Sequence, residues 1–190
     1  MWEPPRRVTL PDPGDRPARG GPAGKALPIH EFCDLSNFKC ALIEPLLKKT
    51  LDAYGDEVRL VWWDVTDPQQ PGTLLVMRAA KGADDVPGGF WKMHDRILAS
   101  QLREGFVRPP AETLAPPALR EHARAVGADL QIFDYMVAMD GAVADDADLR
   151  QARELGIPAT SIVVDGTVLS GRYPPHLLRI AIDRALARRK

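Results

Sequence analysis

The chain has 190 residues, 45% of them hydrophobic, enough to bury a substantial core and to exclude wholesale disorder. Its 25 Lys and Arg against 26 Asp and Glu leave a net charge of -1, without the basic surplus that nucleic-acid or anionic-membrane binding requires. No apolar run reaches the roughly 18 residues of a bilayer-spanning helix, and the start Met1-Trp2-Glu3-Pro4-Pro5-Arg6-Arg7 lacks a secretory-type apolar stretch, so the chain as written reads as soluble and unexported.

Residues 1 to 28 hold seven of the 18 prolines together with Gly14, Gly20, Gly21 and Gly24, a composition that resists both helix and central strand. They are expected to form an extended N-terminal arm, in which Arg6 to Leu10 can add a short edge strand and nothing else is periodic. Residues 29 to 190 are expected to form the folded domain. Leu27 to Cys33 reads as a first strand starting near a proline. Ser36 and Asn37 can cap a helix whose stripe Leu42, Ile43, Leu46, Leu47, Leu51 and Tyr54 has helical spacing, with Gly55 at its end and Pro45 as an internal kink. Val58 to Trp63, β-branched and aromatic, reads as a buried strand ending at Asp64.

A loop follows over Pro68 to Gly72. Helical patterns then cover 73–81, 89–103, 116–126, 129–139 and 146–155, broken at Gly82, Pro87-Gly88-Gly89, Pro109-Pro110 and Gly127. Ser161 to Val164, the turn pair Asp165-Gly166 and Thr167 to Ser170 predict a hairpin. Pro174-Pro175 opens a last helix with Leu177, Leu178, Ile180, Ala181, Ile182 and Leu186 on its buried side, and with Arg184, Arg188, Arg189 and Lys190 at its negative end. The order strand, helix, strand, helical block, hairpin, helix predicts an α/β fold. Its first two long strands pair in parallel, the hairpin adds antiparallel strands, and the helical block over about 73–155 is inserted between them.

This order resembles the thioredoxin-like fold in its DsbA-like form, and four stretches carry the resemblance. They are Glu31 to Cys40 with Glu44-Pro45; Val58 to Trp63; Gly89-Phe90-Trp91-Lys92-Met93-His94-Asp95; and Leu155 to Gly166 with Ser170-Gly171 and the closing helix. The resemblance implies the thiol-disulfide oxidoreductase family, which uses a Cys-x-x-Cys at the helix start. There the helix dipole and free N–H groups favour a thiolate. The corresponding tetrad here is Asn37-Phe38-Lys39-Cys40, with Asn37 in place of the attacking cysteine. An amide forms no mixed disulfide, so standard dithiol exchange is expected to be absent.

Asn37 is expected to act as an N-cap and Cys40 as a buried thiol. Cys33, where the family often has a small residue, is expected to pack independently, with a Cys33–Cys40 bridge as the alternative. The family's cis-proline position falls on Thr160 or Ser161, so that peptide bond is expected to be trans. Asn37, Phe38, Thr160 and Ser161 are the residues expected to face a peptide or protein partner in a groove. Cys40 alone, or Cys33 with Cys40, would carry any residual redox chemistry.

No cofactor is expected. A metal cluster of His30, Cys33, Asp34 and Cys40 has no recognised ligand spacing, and glutathione held by Ser36 or Asn37 ranks last. His94 is expected at a helix surface or core edge, and of Trp62 and Trp63 one is expected in the core and the other under a helix. The oligomeric state and compartment stay open, the cell envelope being what the resemblance implies if a leader has been removed.

Overall fold

The computed structural model describes residues 6–67, 69, 72–102, 111–139, 147–171 and 174–189. Most of the expected 68–72 loop, the Pro109-Pro110 break, the helix ends at Arg103 and Asp146, and Lys190 lie outside the described residues. The chain divides into two compact units: Met1–Cys33, Ile43–Val65 and Ala147–Lys190 form the first, and Asp34–Leu42 with Thr66–Asp146 the second.

The first unit is a six-stranded mixed sheet. Its strands are β1 (Arg6–Arg7), β2 (Ala18–Gly20), β3 (Leu27–Cys33), β4 (Val58–Asp64), β5 (Ser161–Val164) and β6 (Thr167–Ser170), in the order β1-β6-β5-β3-β4-β2. β3 and β4 pair in parallel from Leu27 opposite Val58 to Cys33 opposite Asp64, whereas β5 runs antiparallel to β3 with Ser161 opposite Phe32. The crossover between the parallel strands is α1 (Phe38–Tyr54), which carries Pro45 inside it. Parallel neighbours need such a crossover, because a tight turn can only reverse the chain.

The β5–β6 hairpin turns on Asp165 and Gly166, whose φ angles of 44° and 76° are those of the two-residue turn expected from Asp-Gly. On one face of the sheet Phe32, Val61, Trp63, Val163 and Val168 pack with Leu149 and Ala152 of α6 (Ala147–Glu154). Trp62, 1% exposed, alternates to the other face. α7 (Pro175–Ala187) packs on β3, β5 and β6 and buries Leu178, Ile182 and Ala185.

The second unit is helical: α2 (Thr73–Lys81), α3 (Gly89–Gln101), α4 (Pro116–Val126) and α5 (Leu130–Ala138). α2 packs on the other three helices, and α4 packs on α3 and α5. Asp129 caps α5 by accepting from the N–H groups of Gln131 and Ile132. Gly89 opens α3 where a Cβ would fall 1.6 Å from the Ala83 carbonyl oxygen, so any side chain is excluded there by sterics.

The arm differs from expectation. Its first edge strand shortens to Arg6–Arg7, and β2, which the sequence analysis did not anticipate, pairs antiparallel with β4. A strand of three residues between Pro17 and Gly21 has no periodicity to read; the edge of β4 imposes it. Since β1 and β2 sit at opposite edges, the chain between them crosses the sheet from edge to edge. Five strand spacings are about 24 Å, and ten extended residues reach about 33 Å, so the crossing is feasible without strain.

Candidate functional site

The N-terminus of α1 is built by a short polar loop. Asp34 Oδ1 accepts from both the N–H and the hydroxyl of Ser36 at 2.8 Å, and the Asp34 carbonyl accepts from Asn37 N–H at 2.9 Å. Asn37 Oδ1 then accepts from Lys39 N–H at 3.0 Å while its carbonyl takes the Cys40 N–H at 2.8 Å, which is the expected N-cap. Leu35 is fully buried, and its carbonyl accepts from Gln101 Nε2 at 2.8 Å, which pins the loop to the end of α3. Burial pushes the Asp34 carboxyl above its usual range; the Ser36 hydrogen bonds oppose the shift and the Asp67 charge adds to it.

Both cysteines are disulfide-bonded, and as the chain has only two, Cys33 is joined to Cys40. This corrects the expectation of independent packed thiols. The two are far enough apart in sequence for the loop over residues 34–37 to turn the chain back before α1 starts. Cys33 and Cys40 are each 0% exposed. Attack on a disulfide must come along the S–S axis from an accessible thiolate, and neither residue of this bridge presents surface to solvent.

The remaining expected site residues are placed as follows. Phe38 is half-buried in the first turn of α1, in the second unit with Asn37. Thr160 and Ser161 lie at the start of β5 in the first unit. Thr160 N–H donates to the Phe32 carbonyl at 2.8 Å with a φ of 64°, an unusual conformation for a β-branched residue. The Ser161 hydroxyl donates to the Pro158 carbonyl at 2.7 Å. Among the described residues no peptide bond is cis. His94 is 0% exposed and not at a helix surface, its Nδ1 lying 2.8 Å from Asp95 Oδ1. Trp91 meets its ring edge-on at 4.8 Å.

One cluster escaped sequence reasoning. His30, drawn above as a conceivable metal ligand, instead accepts the Trp63 indole N–H on Nδ1 at 2.9 Å. Phe32 stacks on Trp63 at 4.8 Å, and the Arg16 guanidinium lies 3.7 Å above the same indole. Arg16 Nε and Nη2 both donate to Asp148 Oδ1, at 2.8 and 2.6 Å, and Asp148 Oδ2 accepts from Asp64 N–H at 2.9 Å. Burial first, and then the Arg16 charge, hold the His30 imidazole down at about 4. The readable signal was the cross-strand placement of His30 and Phe32 beside Val61 and Trp63; nothing marked Arg16 among its prolines.

Sheet order, the parallel β3–β4 crossover and the inserted helices define a thioredoxin-like fold in its DsbA-like form. The solved structures agree. The chain is similar to a thioredoxin-like oxidoreductase from Silicibacter pomeroyi DSS-3, with a TM-score of 0.70 and 24% identity over 93% of this chain and 94% of that one. BdbD from Bacillus subtilis gives a TM-score of 0.70 at 18% identity over 90% and 93%. The thiol-disulfide exchange protein α-DsbA2 from Wolbachia pipientis gives 0.64 at 15% over 89% and 86%.

By sequence the chain is 29% identical, over 95% of its length, to proteins named Na(+)/H(+) antiporter NhaA 3 from Salinispora tropica and NhaA 1 from Salinispora arenicola. It spans about a quarter of the length of these curated relatives, 26% in each case. No family model matches the chain. Among the described residues no helix is long and apolar enough to cross a membrane.

Proposed function

We propose that this chain is a DsbA-like domain in which the helix start serves as a binding or structural surface in place of a dithiol-exchange centre. The observation that carries the reading is the burial of the Cys33–Cys40 bridge, both residues at 0% exposure. A working redox centre presents one sulfur to its substrate, and Asn37, at the position of the family's attacking cysteine, spends its amide oxygen on the Lys39 N–H instead. The bridge then acts as a staple on the loop before α1, and the ligand class is an extended peptide or protein segment. Because the matching part of the antiporter-named relatives is a quarter of their length, the domain's place in such a protein is beside its ion-translocating part.

A second reading keeps the chemistry: Cys33 and Cys40 form a relocated redox pair. It is favoured by the bridge itself, which joins the residue at the end of β3 to one at the positive end of α1. In that case two electrons and two protons pass from a substrate dithiol to the bridge, leaving Cys33 and Cys40 as thiols and the substrate as a disulfide. Native alkylation with mass spectrometry, before and after a dithiol reductant, separates the two. The staple predicts no labelled cysteine until the protein is unfolded. Two labels gained on the folded protein within minutes of reduction would transfer the assignment to the redox pair.

A further inference from the structure

We infer that the N-terminal arm is an acid-releasable strap: Arg16 latches it to the Trp63 face of the sheet, and protonation of His30 beside that indole frees the latch while the sheet stays folded. The inference rests on the first unit alone and is independent of the functional reading above.

The strap has one principal fastening. Among the described residues, the hydrogen bonds that residues 9–16 make outside the arm all come from the Arg16 side chain, through Nε and Nη2 to Asp148. Those within this stretch are local: Gly14 N–H donates to Asp12 Oδ1, and Arg16 Nη1 to the Pro13 carbonyl at 2.6 Å. The ends are fixed separately, Val8 N–H to the Gly166 carbonyl and Trp62 N–H to the Pro17 carbonyl. Val8, Leu10 and Ala18 add apolar contact with the cluster under the strap. One partly buried side chain thus carries both a charge-assisted pair and a cation–π contact.

His30 lies under that fastening. With Nδ1 accepting from the indole, its proton is on Nε2; a second proton would set an N–H of Nδ1 against the indole N–H and break the bond. It would also place a second cation beside Arg16. Arg16 from the arm, itself paired to Asp148 of α6, is the charged group acting on the ring, and the neighbours across β4 and β5 are the apolar Val61 and Val163. Burial and the Arg16 charge delay the event to about pH 4.

Hydrogen exchange of the full chain at neutral pH and near pH 4, corrected for intrinsic exchange, tests the strap. Peptides from residues 6–20 should exchange about tenfold to a hundredfold faster near pH 4, while β3 and β5 keep their protection. Arg16→Met and Asp148→Asn should each open the arm at neutral pH. His30→Gln, which still offers an acceptor to the indole but takes no proton, should keep it closed near pH 4. Loss of arm and β3 protection together, an Arg16→Met arm as protected as the wild type, or a His30→Gln arm that opens like the wild type would each overturn the proposal.

Discussion

At the scale of single residues, Asn37 and His30 do measurable work through one hydrogen bond each. The Asn37 cap satisfies a backbone donor that α1 leaves unpaired, so Asn37→Ala should cost about 1 kcal/mol in urea unfolding, and Asn37→Asp should cost little because it keeps the acceptor. For His30 the sign follows from its lowered value. Below about 6.5 the unfolded chain takes up a proton that the folded chain refuses until about 4. Stability is therefore full above 6.5 and falls as the pH drops through that interval, by an amount on the order of 3 kcal/mol. Unfolding free energies of the wild type and His30→Gln across this range should diverge on the acid side and run parallel above pH 7. The Asn37 cap was legible because a polar residue before an apolar stripe is a local signal. The full burial of His94 was not, since spacing along one helix cannot show which face is covered.

At the scale of elements, each strand or helix that a local signal announced was found, and the misses had none. The hairpin at Asp165-Gly166 was written in two residues that tolerate positive φ, whereas β2 exists through its partner strand. The disulfide was legible only as an alternative, because whether a strand end and a first helical turn converge depends on the loop between them. That loop is shaped by Asp34 and Ser36 and pinned by Gln101. Replacing Cys33 and Cys40 together by serine or alanine should lower stability by about 2 kcal/mol, the loop entropy of so short a ring, with the native fold kept. Calorimetry with and without reductant checks this. Gly89→Ala acts through contact, not conformation: its Cβ would fall 1.6 Å from the Ala83 carbonyl oxygen. It should therefore disrupt the start of α3 and cost several kcal/mol, visible as a lost or early helical transition by circular dichroism.

At the scale of the whole chain, the arm closes the sheet at both ends. β6 and β4 would otherwise present open strand edges, and such edges recruit other chains. Removal of residues 1–20 should therefore leave protein that self-associates, read by light scattering after size exclusion. A monodisperse truncated chain would show that the edges need no cover.

The same arm sets an order of events in biosynthesis. Arg6 pairs with Val168 and Arg7 with Thr167, so β1 cannot form until residues 167–168, far downstream, have been made. β2 can dock on β4 once residues 59–61 have emerged, but the strap cannot be fastened before Asp148 is made. Contacts of such long sequence separation are slow to form, and until then the proline-rich segment is held to the growing domain at one end. The arm thus precedes the rest of the sheet in synthesis and is among the last of its parts to be secured, and its docking reports that the strands through β6 are in place.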